Sequence, residues 1–133
     1  MTRYLVLYCV ALLVIVPLDI LWLGVLMRDF FKSRLGDMLG DLNMLPAILF
    51  YLMYAAGILV FAAGPAGATW RSAALFGGLL GFVAYATYDL TNLAVLRHWS
   101  WSVAAVDVAW GAFVTAVAAA VAVLAADWLV GEG

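Results

Sequence analysis

Four apolar stretches, at about 4–27, 45–63, 72–96 and 101–126, are each long enough to cross a hydrocarbon core of roughly 30 Å, which takes ~20 helical residues. This constrains the fold more than any other feature, because a backbone in hydrocarbon must satisfy its own N–H and C=O groups, and a helix does so within one segment. The expected fold class is all-α: an integral membrane four-helix bundle of antiparallel up-down topology, one transmembrane domain over residues 1–133. Composition points the same way. With 69% hydrophobic residues, 11% charged residues and a mean hydropathy of +1.15, a soluble domain of this size would leave much apolar surface in water. The first stretch follows Arg3 and invites reading as a signal peptide. It runs past Pro17 and Asp19 to Met27, beyond an h-region of ~7–15 residues, with no small-residue cleavage pattern, and reads instead as a span.

Several function classes drop out early. The net charge of -2 is thinly spread and provides no basic face for nucleic acid. Cys9 is the only cysteine, which excludes an internal disulfide and any multi-cysteine metal site. His98 is the only histidine; beside Arg97 it reads as an interfacial residue rather than a ligand, and it is thin support for haem.

The connections are 28–43, 64–71 and 97–100. In the long first one, Phe30, Phe31, Leu35, Met38, Leu39 and Leu42 recur at loose helical spacing, so it is either a short helix lying on the membrane surface or a solvated loop. Arg28, Lys32, Arg34 and Arg97 lie on one side and Arg3 and Arg71 on the other, which places the first and third loops in the cytoplasm under the positive-inside bias.

Three aspartates fall within spans. At 1.5 Å per residue, Asp89 lies ~12 Å from Arg97, Asp19 ~13 Å from Arg28 and Asp107 ~10 Å from Ser100, and alternating helix direction refers all three to the same surface. Tyr51 and Tyr54, ~12 and ~16 Å from Asn43, fall in that layer too. Tyr85, Asp89 and Asn92 share a face at i, i+4, i+7 with Tyr88 beside them, and Asp107, Trp110 and Gly111 make a similar face on the fourth span. A polar belt follows, with Asp89, Asp107 and Asp19 as candidate catalytic residues. Tyr85, Tyr88, Asn92, Tyr51, Tyr54, Trp22 and Trp110 are the candidate substrate-binding residues, Asp89 leading and Asn92 and Tyr85 orienting it.

The plain alternative is that these groups only join helices, at roughly 0.6–2 kcal/mol per contact. A charged acid near a helix centre costs roughly 2.5–3.5 kcal/mol on insertion scales, and no Lys or Arg lies in the belt, so glue alone explains three of them poorly. Without basic partners the acids either hold protons or bind a cation, and carboxylate, phenol and amide oxygens suit a hard divalent ion. No cofactor is required by the residues, and no metal ligand set is assigned.

Trp70, Trp99, Trp101 and Trp128 lie near span ends and read as interface anchors, whereas Trp22 and Trp110 lie deeper. Pro17, two residues before Asp19, is expected to bend the first helix or free a carbonyl there. Gly77 and Gly81 in GxxxG spacing, and the run Gly111, Ala112, Thr115, Ala116, Ala119 and Ala120, allow close helix packing, either within the bundle or between two protomers of a homodimer.

The stretch Tyr88-Asp89-Leu90-Thr91-Asn92-Leu93-Ala94, followed by Trp99 and by Asp107 with Trp110-Gly111, resembles the DUF2177 family of small predicted bacterial membrane proteins of unknown function. The likeness runs over essentially the whole chain and includes Pro17, Asp19 and Trp22 and the stretch from Tyr51 to Gly57. It implies a four-helix protein of the bacterial inner membrane and carries no activity or catalytic assignment. Three functions stay open: an enzyme or enzyme subunit acting on a lipid or other apolar substrate, a small oligomeric proton- or cation-coupled transporter, and a non-catalytic membrane partner docking through 28–43.

Overall fold

The computed structural model describes residues 2–22, 24, 44–97 and 99–131. Four helices among them are long and apolar enough to cross a membrane. They are α1 (Thr2–Leu21), α2 (Met44–Ile58, continued by a π-helical turn over Leu59–Ala63), α3 (Trp70–Val95) and α4 (Trp101–Val130). The expected surface helix in 28–43, its basic residues and His98 lie outside the described residues.

Helix ends follow local chemistry. Thr69 and Ser72 form a reciprocal capping box at the start of α3, each side chain receiving the other's backbone N–H, and Ser100 accepts from Val103 N–H to start α4. Gly131 ends α4 at φ +88°, a conformation most side chains resist. At 30 residues α4 is about 45 Å long, longer than the expected span 101–126 and than the hydrocarbon itself. α1 runs unbroken through Pro17, which lies exposed on its surface.

Contacts at the two ends establish an antiparallel arrangement. Arg3, at the start of α1, donates to Asp127 Oδ1 at 2.8 Å and to the Gly131 carbonyl at 3.0 Å, both at the end of α4. Trp22, just past the other end of α1, reaches Asp107 near the start of α4. The turn joining α2 to α3 lies with Arg3 and Asp127, while Pro46 at the start of α2 lies with Trp22.

The core is smallest where α3 meets α4. A Cβ added at Gly77 would collide with Ala119 and the Thr115 carbonyl, and one at Gly81 with the Gly111 carbonyl and Thr115 Oγ1. The GxxxG face is thus spent inside the protomer. So is the smooth face of α4: Gly111, Val114, Thr115, Ala118, Ala119 and Ala122 are buried against α1 and α3. Of the two expected uses of that face, packing within the bundle is the one it serves here. Where two backbones approach closely, dispersion and interhelical polar contacts replace the hydrophobic effect that lipid cannot supply.

α2 is the exception to this packing. Its π-helical end packs against α3, whereas among the described residues its Met44–Ile58 part makes little contact with α3 or α4 and leans on α1. A cleft opens between the first half of α2 and α3.

Candidate functional site

The cleft leads to a cavity of about 420 Å³ lined by Asp19 and Trp22 from α1 and the residue after it, Pro46, Ala47, Phe50 and Tyr51 from α2, Ala84, Tyr85 and Tyr88 from α3, and Asp107 from α4. Its walls are aromatic and aliphatic; its carboxyl groups come from helices that are not neighbours in sequence.

Asp19 is 4% exposed and is bound from all three other helices. The Tyr51 hydroxyl donates to its Oδ2 at 2.7 Å, the Tyr85 hydroxyl to the same oxygen at 2.8 Å, and Trp110 Nε1 to Oδ1 at 2.8 Å. Asp107, 3% exposed, receives Trp22 Nε1 at 3.1 Å. The two indoles stack with centroids 4.6 Å apart and planes 5° from parallel. Asp19-x-x-Trp22 at the end of α1 and Asp107-x-x-Trp110 on α4 therefore form a crossed clasp: each tryptophan donates to the other segment's aspartate. At i, i+3 the two side chains leave one face of a helix together, and two such faces brought together antiparallel satisfy each other reciprocally.

Asp89 is wholly buried and lies behind Asp107, off the cavity wall. Trp99 Nε1 donates to its Oδ1 at 3.2 Å, and its Oδ2 has no hydrogen-bond partner among the described residues. The Asp107 carboxyl is its close neighbour. A proton on either acid would give the pair the donor it lacks.

The structure redistributes several expected roles. Tyr85 orients Asp19 rather than Asp89, because its ring lies flat over Gly111, where a Cβ would overlap it, and that points the hydroxyl across the bundle. Tyr54 lies one level away from the acids, sharing a 2.7 Å hydrogen bond with Thr115. Asn92 is half-buried beside Tyr88, and Tyr88, half-exposed, meets Trp99 edge-on at 5.8 Å. Thr87 and Thr91 are exposed and donate to the carbonyls of Val83 and Thr87 on their own helix, so they take no part in the site. Trp99 is a correction. Expected at the interface, it is 6% exposed and is the donor for Asp89, whereas Trp101 and Trp128 are 76% and 84% exposed. The loop after α3 turns Trp99 back beneath the helix, and its position one residue before a cap gives no hint of that.

No group of three or more His, Cys, Asp or Glu side chains suited to a metal ion occurs among the described residues.

A family model described as "Predicted membrane protein (DUF2177)" matches residues 4–124, which hold every residue of this site. The chain belongs to the DUF2177 family. No curated protein and no solved structure matches it. Membership in this family carries the membrane assignment and leaves the chemistry to the site itself.

Proposed function

We propose that this DUF2177 protein takes an apolar molecule from the bilayer into the cleft between α2 and α3 and acts on its polar end, alone or as an enzyme subunit, with Asp19 and Asp107 at the site of action. The observation that carries this reading is the pairing of an aromatic-walled cavity of about 420 Å³ with two carboxyl groups from separate helices. Ligand cavities are mostly apolar with a few convergent polar groups, and a side entrance suits a ligand that arrives from lipid. Asp107 is the proton-transferring group, since it is the described carboxyl that both faces the cavity and adjoins Asp89. Asp89 serves as the proton reserve behind it, and Asp19, saturated by three donors, positions the tyrosines and Trp110. The setting is the bacterial inner membrane, with the first and third loops in the cytoplasm.

A transport role fits less well. Between the acids and the Arg3–Asp127 end the described core holds Leu7, Ala11, Ile15, Ile58, Ala118, Ala122 and Val123, with the Tyr54–Thr115 pair spent on itself. That layer supplies no continuing polar route. The test compares lipid extracts of cells carrying the intact protein, Asp107→Asn or Asp89→Asn at matched membrane levels. A lipid species that changes with the Asp107 variant supports the reading, and indistinguishable extracts across several growth conditions refute it.

A further inference from the structure

Among the described residues the cavity is short of positive charge. Two carboxyl groups face it and a third stands directly behind, yet no Lys or Arg is among its described lining residues. Arg3 is engaged with Asp127 at the far end of the bundle, and Arg71 and Arg97 are exposed. Burying carboxyl groups without countercharge is costly, and the donors on hand are neutral phenols and indoles. The fully buried Asp89 Oδ2 next to Asp107, without a partner among the described residues, is the local sign of that shortfall. Around the acids the walls are aromatic: Trp22, itself stacked on Trp110, with Tyr85, Tyr88, Tyr51 and Phe50. An acid floor under aromatic walls is the surrounding that selects an organic cation, because ring quadrupoles and carboxylates both favour positive charge and an apolar cavity admits the attached chain.

We infer that the ligand of this cavity is a lipophilic amine or quaternary ammonium, its cationic head held at Asp19 and Asp107 between Trp22 and Tyr85, its apolar chain lying out through the cleft between α2 and α3. This rests on the reading that the cavity takes an apolar molecule from the bilayer, and specifies its head group. Anionic heads such as phosphate or carboxylate are rejected by like charge, and neutral alcohols lack the charge the acids require. Because protons and the ammonium compete for the same carboxyl groups, a permanently charged ligand binds less well as pH falls.

The test uses the full chain in nanodiscs of a zwitterionic lipid and the binding of radiolabelled dodecyltrimethylammonium, with dodecylamine, dodecanol and dodecyl sulfate as competitors of one chain length. The expected result is saturable binding, displaced by dodecylamine at concentrations lower by about tenfold or more than dodecanol or dodecyl sulfate requires, and weakening toward acid pH. Asp107→Asn and Asp19→Asn should each weaken binding by a similar factor, while Asp127→Asn, remote from the cavity, leaves it unchanged. Equal competition by dodecanol, or preference for dodecyl sulfate, overturns the cationic head group while leaving the apolar ligand in place. Absence of saturable binding for every probe overturns both. Binding unaffected by either cavity variant overturns the location. The competitor series needs no variant, so a substitution that fails to fold does not shelter the inference.

Discussion

Gly111→Ala tests the site through its packing. A Cβ at Gly111 would fall within the Tyr85 ring, touching its Cγ, Cδ1 and Cδ2, so the ring must move by more than about 1 Å to restore a carbon–carbon contact of ~3.5 Å. The Tyr85 hydroxyl now lies 2.8 Å from Asp19 Oδ2, and such a shift takes it out of hydrogen-bonding range. Overpacking of this kind costs about 1–3 kcal/mol. An interhelical hydrogen bond in a membrane protein adds about 0.6–1.7 kcal/mol. The variant should therefore lose roughly 2–5 kcal/mol, the sum of those two effects. The measurement is reversible unfolding in mixed micelles of Gly111→Ala, Tyr85→Phe and the double variant. Tyr85→Phe keeps the ring and loses only the hydroxyl, so its cost is that of the hydrogen bond alone. In the double variant that bond cannot be lost twice, and the two effects should fall short of additivity by about 0.6–1.7 kcal/mol. Gly78→Ala is the control, because its Cβ would meet Ala116 at an ordinary 3.7 Å. Strict additivity, or a Gly111→Ala protein as stable as Gly78→Ala, would show that the Tyr85 ring does not rest on Gly111 and would remove the link from α4 packing to the Asp19 cluster.

Three further outcomes follow from named contacts. Trp99→Phe removes the donor to buried Asp89 and should destabilise by about 1–3 kcal/mol in the same unfolding assay, while Trp101→Phe and Trp128→Phe on the exposed surface stay near the parent; equal effects of all three would put Trp99 back at the interface. Thr115→Val strands the Tyr54 hydroxyl in the core and should cost about 1–3 kcal/mol, and adding Tyr54→Phe should recover most of it; no recovery would mean that the hydroxyls do not serve each other. Cys9, exposed on α1 about 10 Å along the helix from Thr2, should resist a membrane-impermeant maleimide in proteoliposomes and react once a small thiol reagent is added in detergent; rapid labelling in the intact bilayer would place that face in water.

What could be read from the chain alone was whatever depends on length and periodicity. Four stretches long enough to cross hydrocarbon dictate four helices, since lipid offers the backbone no other partner, and helical rise with alternating direction puts Asp19, Asp89 and Asp107 near one surface. Depth is a one-dimensional quantity and survives ignorance of packing. Azimuth and distance are not, and the tertiary structure decided everything that rests on them. The repeated Asp-x-x-Trp spacing is visible at 19–22 and 107–110, but that each tryptophan serves the other segment's aspartate requires α1 and α4 to meet face to face. Whether Gly77, Gly81 and Gly111 pack a protomer or a dimer is undetermined by their spacing, and the close approach of α3 to α4 settles it within one chain. Asp89 carries the same chemical group as Asp107 at nearly the same depth, yet one is hidden and the other faces the cavity, because α2 leans away from α3 and opens the bundle on the side of Asp107.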